Sequence, residues 1–234
     1  MLLDTTSPET IHPSLWRASQ LARSGTRCVD TGYPSLNLQL PGGGWPTSSL
    51  TEMHVSSTGA GEVRLLAPVF LAAGKRPVML IQPPHVPNAL ALWAMGLNPS
   101  QVIWVQPDRN ADALWAAEQA LRVGACSVVM LWQSHTRNET VRRLNLAAQE
   151  TEALCFLLKP LASAQDASPA PLRLALRPAL GGIDLTILKR RGAQLDSSIF
   201  LPMSPSFVHR QNASVDRRPV APTGIGTLRP ELVG

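Results

Sequence analysis

Leu50-Thr51-Glu52-Met53-His54-Val55 followed by Ser56-Ser57-Thr58-Gly59-Ala60-Gly61-Glu62-Val63 reads as an apolar strand, a glycine-bearing turn and the start of an apolar helix over 63–73. That is the setting of a phosphate-binding loop, whose pattern G-x-x-x-x-G-K-[ST] lies between a buried strand and a helix. Gly61 stands at the second glycine position, but Ser56 replaces the first, Glu62 the lysine and Val63 the magnesium-binding hydroxyl. Glu62 sets a negative charge where the β- and γ-phosphates require a positive one. At about 4 Å and an effective dielectric near ~20, exchanging attraction for repulsion changes the local energy by several kcal/mol per phosphate charge. Gly59 and Gly61 then serve to shape a strand-to-helix turn, and an anion at the helix N-terminus is opposed by Glu62.

Outward from this turn, strand and helix patterns alternate. Short apolar runs at 77–81, 101–105, 127–132 and 153–158 predict strands. Helices are expected over 88–96, over 111–123 with Asn110 as N-cap and Gly124 as stop, and from a Thr136-x-x-Glu139 capping box to about 151. Continuously apolar strands separated by helices predict an α/β fold with a mostly parallel sheet covered on both faces. Four segments are expected: an N-terminal helical segment at 1–30, the α/β core at 31–162, a linker and β-hairpin at 163–203, and a flexible, basic, Pro-rich tail at 204–234. The core opens with the glycine-rich turns Thr31-Gly32-Tyr33-Pro34 and Leu40-Pro41-Gly42-Gly43-Gly44-Trp45-Pro46.

With 234 residues, 44% hydrophobic content and a mean hydropathy of +0.03, the chain can bury a sizeable core. No apolar run approaches the ~18 residues of a membrane span, and the N-terminus lacks the pattern of a secretory signal. Cys28, Cys126 and Cys155 have no metal-ligand spacing, and the last two fall in apolar strands, the usage of a reducing cytoplasm. His54, His85, His135 and His209 share no ligand spacing either, so no metal and no cofactor is expected. Net charge is +5, carried by arginine; the lysines are Lys75, Lys159 and Lys189. Arginine suits phosphate and acidic partners, although a GC-rich genome produces the same bias.

Lys189-Arg190-Arg191 at the hairpin's end and Arg217-Arg218 in the tail are candidates for phosphate contact or docking to an acidic partner, against a solvated charge run as the plain alternative. Arg142-Arg143 reads as an exposed helix face. Trp45, in its Gly-Pro turn, is the candidate contact tryptophan; Trp93, Trp104, Trp115 and Trp132 are expected in the core. Phe207, Val208, Val220, Ile225 and Leu228 are spaced like a segment that orders on a partner. Ser56, Ser57 and Ser134 have no base and orienting acid to make a catalytic serine.

The order of Thr31 to Asn37, Leu40 to Pro46, Leu50-Thr51-Glu52, Val105-Gln106-Pro107-Asp108 and Ala120-Leu121-Arg122-Val123-Gly124 resembles the core of RecA-type recombinases over about 13–160. In that family a catalytic glutamate follows the strand near Ile81, where Pro84 stands here. An aspartate ends the later strand, where Leu131 stands here. With the lysine and hydroxyl also gone, the resemblance implies a non-enzymatic, nucleotide-free domain. His12-Pro13-x-x-Trp16-Arg17, Gly59-x-Gly61-Glu62-x-x-Leu65-Leu66 and Ile187-Leu188-Lys189-Arg190-Arg191-Gly192 resemble the ImuA family of translesion-synthesis-associated proteins. That resemblance implies a cytoplasmic accessory factor in damage-induced mutagenesis. Its partners would be an ImuB-like inactive Y-family polymerase, an error-prone replicative-type polymerase and RecA, with weak DNA contact as an addition. Ala120-Leu121-Arg122-x-Gly124-x-x-Ser127-Val128-Val129-x-x-Trp132 and Lys159-Pro160 also resemble SulA-type cell-division inhibitors, which bind the tubulin-like division protein; this is the alternative.

Overall fold

The computed structural model describes residues 27–192 and 198–203. Two short strands, β1 (Cys28–Val29) and β2 (Trp45–Pro46), pair antiparallel beside the main sheet. Among the described residues that sheet has eight strands: β3 (Ser49–Val55), β4 (Val78–Ile81), β5 (Val102–Val105), β6 (Val128–Trp132), β7 (Leu154–Pro160), β8 (Leu172–Ala179), β9 (Gly182–Lys189) and β10 (Ser198–Pro202). Their order is β10-β9-β8-β3-β7-β6-β4-β5. Strands β8 to β5 run parallel, and β9 and β10 close the other end antiparallel. The chain is therefore an α/β protein with a mostly parallel sheet, as its apolar strands predict.

The sheet separates two cores. One face buries Met53, Val78, Met130 and Phe156 under Leu65, Val69, Phe70 and Leu92, from the helices Glu62–Leu65, Ala67–Ala72 and Ala89–Ala94. The other buries Leu50, Ile81, Val129 and Leu157 under Ala113, Leu121, Val141 and Leu144, from the helices Asn110–Val123 and Asn138–Gln149. On the second face Glu118, 7% exposed, joins the two helices: Arg122 reaches it at 2.8 Å and Arg143 donates to its other oxygen. Half of the expected exposed Arg142-Arg143 face thus has a structural partner.

Several boundaries differ from expectation for identifiable reasons. The helix expected over 63–73 breaks at Leu66, because Pro68 within the first turn of the second piece has no N–H to continue the ladder. Asn110 is the first residue of its helix and not the cap; Arg109 holds that place and pairs with Asp112 at 2.8 Å. The capping box at Thr136 does not form, since the helix begins at Asn138 after Arg137. The segment 163–171, read as a linker, includes most of the short helix Leu161–Gln165, which packs over β3. The hairpin β8–β9 forms as expected, and its first strand pairs parallel with β3, so it is continuous with the central sheet.

Candidate functional site at the carboxyl edge of the sheet

Strand β3 is buried over six of its seven residues and delivers the loop 56–61 to the carboxyl edge of the sheet. The left-handed turn that a phosphate loop needs is present, with φ of 76° at Gly59 and 101° at Gly61. Gly59 has open space around it, so its glycine answers to backbone conformation alone. Gly61 has a packing reason as well: a Cβ there would lie 2.8 Å from Ile183 Cδ1 of β9. Val63, at the hydroxyl position, is a partly buried residue packed on the core.

Glu62 is 2% exposed and turned inward. Its Oε1 accepts a hydrogen bond from Gly59 N at 3.3 Å, while Oε2 is buried with no partner among the described residues. The loop N–H that could meet a phosphate oxygen is thus bonded to a carboxylate of the same loop. His85 Nε2 lies 3.2 Å from Thr58 Oγ1 and ties the loop to the segment after β4.

A cavity of about 470 Å³ opens beside this loop, between Ser56 and Thr58 on one side and Gln82, Pro84, Trp132 and Lys159 on the other. It stands at the carboxyl ends of β3, β4, β6 and β7. The connections after β4 and β6 leave to opposite faces there, the position where open α/β sheets take ligands. Pro84 lines it as the resemblance places it. Leu131, by contrast, is 1% exposed in the second core and does not face the cavity. Gln82 has φ of 49°, an uncommon conformation for a residue with a side chain, and its Oε1 accepts from Gln133 Nε2 at 2.5 Å.

Beneath the cavity lies a buried polar cluster that the sequence reading missed. Glu52, His54, Lys159 and Arg173 are all under 9% exposed. Glu52 accepts from Arg173 Nε at 2.9 Å and from Ser168 Oγ at 2.7 Å. Ser163 Oγ donates to Pro160 O at 2.7 Å and lies 3.0 Å from His54 Nδ1, while His54 Nε2 lies 3.2 Å from Arg173 Nη2 and 3.4 Å from Glu52 Oε2. Burial pushes the Glu52 carboxyl up, but His54, Ser168, Lys159 and Arg173 outweigh it and bring it down to about 2. The available signal was Glu52 and His54 two apart in an otherwise buried strand, which puts both on one face.

The sequence-predicted contact residues lie elsewhere. Lys189, Arg190 and Arg191 sit at the amino edge of the sheet beside a cavity of about 780 Å³ that also has Arg27, Glu150 and Glu152 in its wall. Six residue steps of β3 separate the two edges, about 20 Å. Lys189 Nζ donates to Ser168 O at 2.9 Å, and Arg190 Nη1 donates to Gln39 O, so two of the three cations brace local backbone. Arg217 and Arg218, with the apolar positions 207–228, lie outside the described residues.

Trp45 is a correction: it is fully buried and packs edge-on to Phe156, with ring centroids 5.4 Å apart. The glycine-rich turn before it folds inward onto the sheet. Trp93, Trp104 and Trp115, expected in the core, are 49%, 47% and 62% exposed. Trp104 is on β5, the edge of the sheet, and Trp115 lies off the Ala113–Ala117–Leu121 stripe that meets the core.

Cys126 and Cys155 are buried as expected, and burial pushes the Cys155 thiol up to about 12. No helix among the described residues is long and apolar enough to cross a membrane.

No family model matches the chain. Over 120 residues it is 28% identical to the protein RecA of Deinococcus radiodurans, a stretch covering 50% of this chain and 33% of that protein. The chain therefore spans about one third of the length of the relative it matches. With the mostly parallel eight-stranded sheet flanked by helices, that similarity gives the chain an α/β fold of RecA-like form.

Proposed function

We propose that this chain is a non-catalytic, RecA-like adaptor in SOS-induced translesion DNA synthesis, of the ImuA kind. It would act in the cytoplasm by contacts with an ImuB-like inactive Y-family polymerase, an error-prone replicative-type polymerase and RecA. The observation that carries this reading is the inward Glu62 carboxylate, bonded to the loop N–H on a scaffold of RecA-like form. A phosphate entering the loop would displace that carboxylate and then face it, with no lysine at 62 and no hydroxyl at 63. The similarity to RecA supports an origin in DNA damage handling, and the damaged loop supports a role kept by surfaces and not by hydrolysis. The division into a core at 31–162, a hairpin extension at 163–203 and a tail at 204–234 is part of the proposal, with the tail as the partner-binding segment.

The test is calorimetric titration of the full chain with ATP and magnesium, alongside co-purification with the polymerase-like partner. No heat of nucleotide binding and a stable complex with the partner are expected. Micromolar ATP binding would overturn the non-catalytic reading. A SulA-like division inhibitor is favoured by the segment Ala120 to Trp132; cell filamentation on expression without DNA damage, with no polymerase complex, would select it.

A further inference from the structure

Two further cavities adjoin the altered loop, on the face of the sheet covered by the helices Glu62–Leu65 and Ala89–Ala94. The larger, about 490 Å³, lies between Gly61 and Arg64 on one side and the turn of the β8–β9 hairpin on the other. The smaller, about 190 Å³, is lined by mainly apolar side chains, among them Leu80, Pro84, Val86, Leu92 and Trp132. Gly59, Glu62, Val63 and Met95 stand in the walls of both, so the two are compartments of one groove. Val63, Leu80, Leu92, Met95 and Trp132 all pack on the first core and therefore converge from a single face. Val86, 71% exposed, leaves the mouth of the smaller compartment open and apolar.

The described residues end in the wall of this groove. Met203 is buried, lines the larger compartment and is fixed there by its N–H, which donates to Gly181 O at 2.9 Å. The sequence continues Ser204-Pro205-Ser206-Phe207-Val208, so Phe207 is the first large apolar residue after Met203. Four residue steps let it reach up to about 14 Å from that anchor. An apolar cavity of about 150 Å³ takes a benzene ring. The 190 Å³ compartment therefore admits a phenyl side chain, with the Met95 thioether in its wall as a favourable neighbour for the ring. Pro205 lowers the number of conformations the segment gives up on docking. A tether this short sets an effective concentration on the order of millimolar, so even the weak contact of one ring keeps the compartment occupied.

We propose that the groove is the seat of the chain's own C-terminal segment, with Phe207 in the smaller compartment and residues 204–206 crossing the larger one over Gly61. The segment then covers the loop that in an intact motif faces phosphate. One consequence rests on the function proposed above, in which the tail binds the partner. A partner that takes this end of the tail must first lift Phe207 out, and its apparent dissociation constant rises by the inverse of the undocked fraction.

The experiment is NMR of the full chain labelled with ¹³C at its methionine methyl groups. Met95 reports from the groove, and Met79, packed on the second core, is the control. A nuclear Overhauser contact between the Phe207 ring and the Met95 methyl is expected, and dilution of the sample should leave it unchanged. Phe207→Ala should move the Met95 signal and leave Met79 in place, and Val86→Asp at the mouth should abolish the contact. No contact between Phe207 and Met95, or a Met95 signal indifferent to Phe207→Ala, would overturn the proposal. A contact that fades on dilution would also overturn it, because the groove would then hold the tail of a second copy. None of these readouts involves a partner, so their failure is distinct from a failure of the adaptor reading.

Discussion

Replacing Glu52 by Gln tests the buried cluster most directly. The substitution keeps the shape but removes the charge that Arg173 and Lys159 share. Breaking a buried pair by neutralising one partner costs about 3–5 kcal/mol, a large part of the ~5–15 kcal/mol that holds a typical domain together. The pH dependence gives a second handle. The carboxyl is held at about 2 in the folded chain against an ordinary 4.5. Its contribution is therefore complete above 4.5 and is lost as pH falls toward about 2. At 1.36 kcal/mol per tenfold change in proton concentration, about 2 kcal/mol of it should be lost between pH 4.5 and pH 3. Urea unfolding followed by circular dichroism at pH 6 and pH 3 measures both effects. Glu52→Gln should be about 3–5 kcal/mol less stable at pH 6, and the gap to the native chain should narrow by about 2 kcal/mol at pH 3. A gap under about 1 kcal/mol, or one independent of pH, would refute the role assigned to the cluster.

Gly61→Ala places a Cβ 2.8 Å from Ile183 Cδ1 at a backbone φ of 101° and should cost about 1–3 kcal/mol in thermal or urea unfolding. Adding Ile183→Val, which removes that methyl group, should recover part of the loss; strict additivity of the two substitutions would contradict the contact. Cys155, fully buried with its thiol raised to about 12, should stay unreactive toward a thiol reagent at pH 8 until the chain unfolds, which a colorimetric thiol assay reads directly.

What the sequence made legible was whatever depends on local pattern. The apolar runs at β4, β6 and β7 locate the parallel sheet to within a residue or two, because strands buried on both faces are continuously apolar. The altered loop is equally readable, since the lysine and hydroxyl are single positions in a fixed motif. Exposure was not legible where it depends on strand order. Ile103-Trp104 reads as core in isolation, yet β5 is an edge strand and leaves Trp104 47% exposed. Trp45 fails in the opposite sense: its glycines signal a surface turn, but the turn folds back so that the indole meets Phe156. The buried cluster needs residues from three strands and a crossover, with Arg173 121 positions from Glu52, and no window along the chain contains it.

The break at Leu66 bears on whether the loop could be restored by substitution. An anion at a helix N-terminus is held by the free N–H groups of the first turn, which the following helix keeps in place, and only one turn, Glu62–Leu65, stands behind this loop before the break. Returning Gly, Lys and Thr to positions 56, 62 and 63 would rebuild the side chains but not the aligned helix. It would also leave Pro68 interrupting the backbone and Ile183 pressed against Gly61. Reversal would have to remodel the helix and the hairpin together, so the change acts as a ratchet.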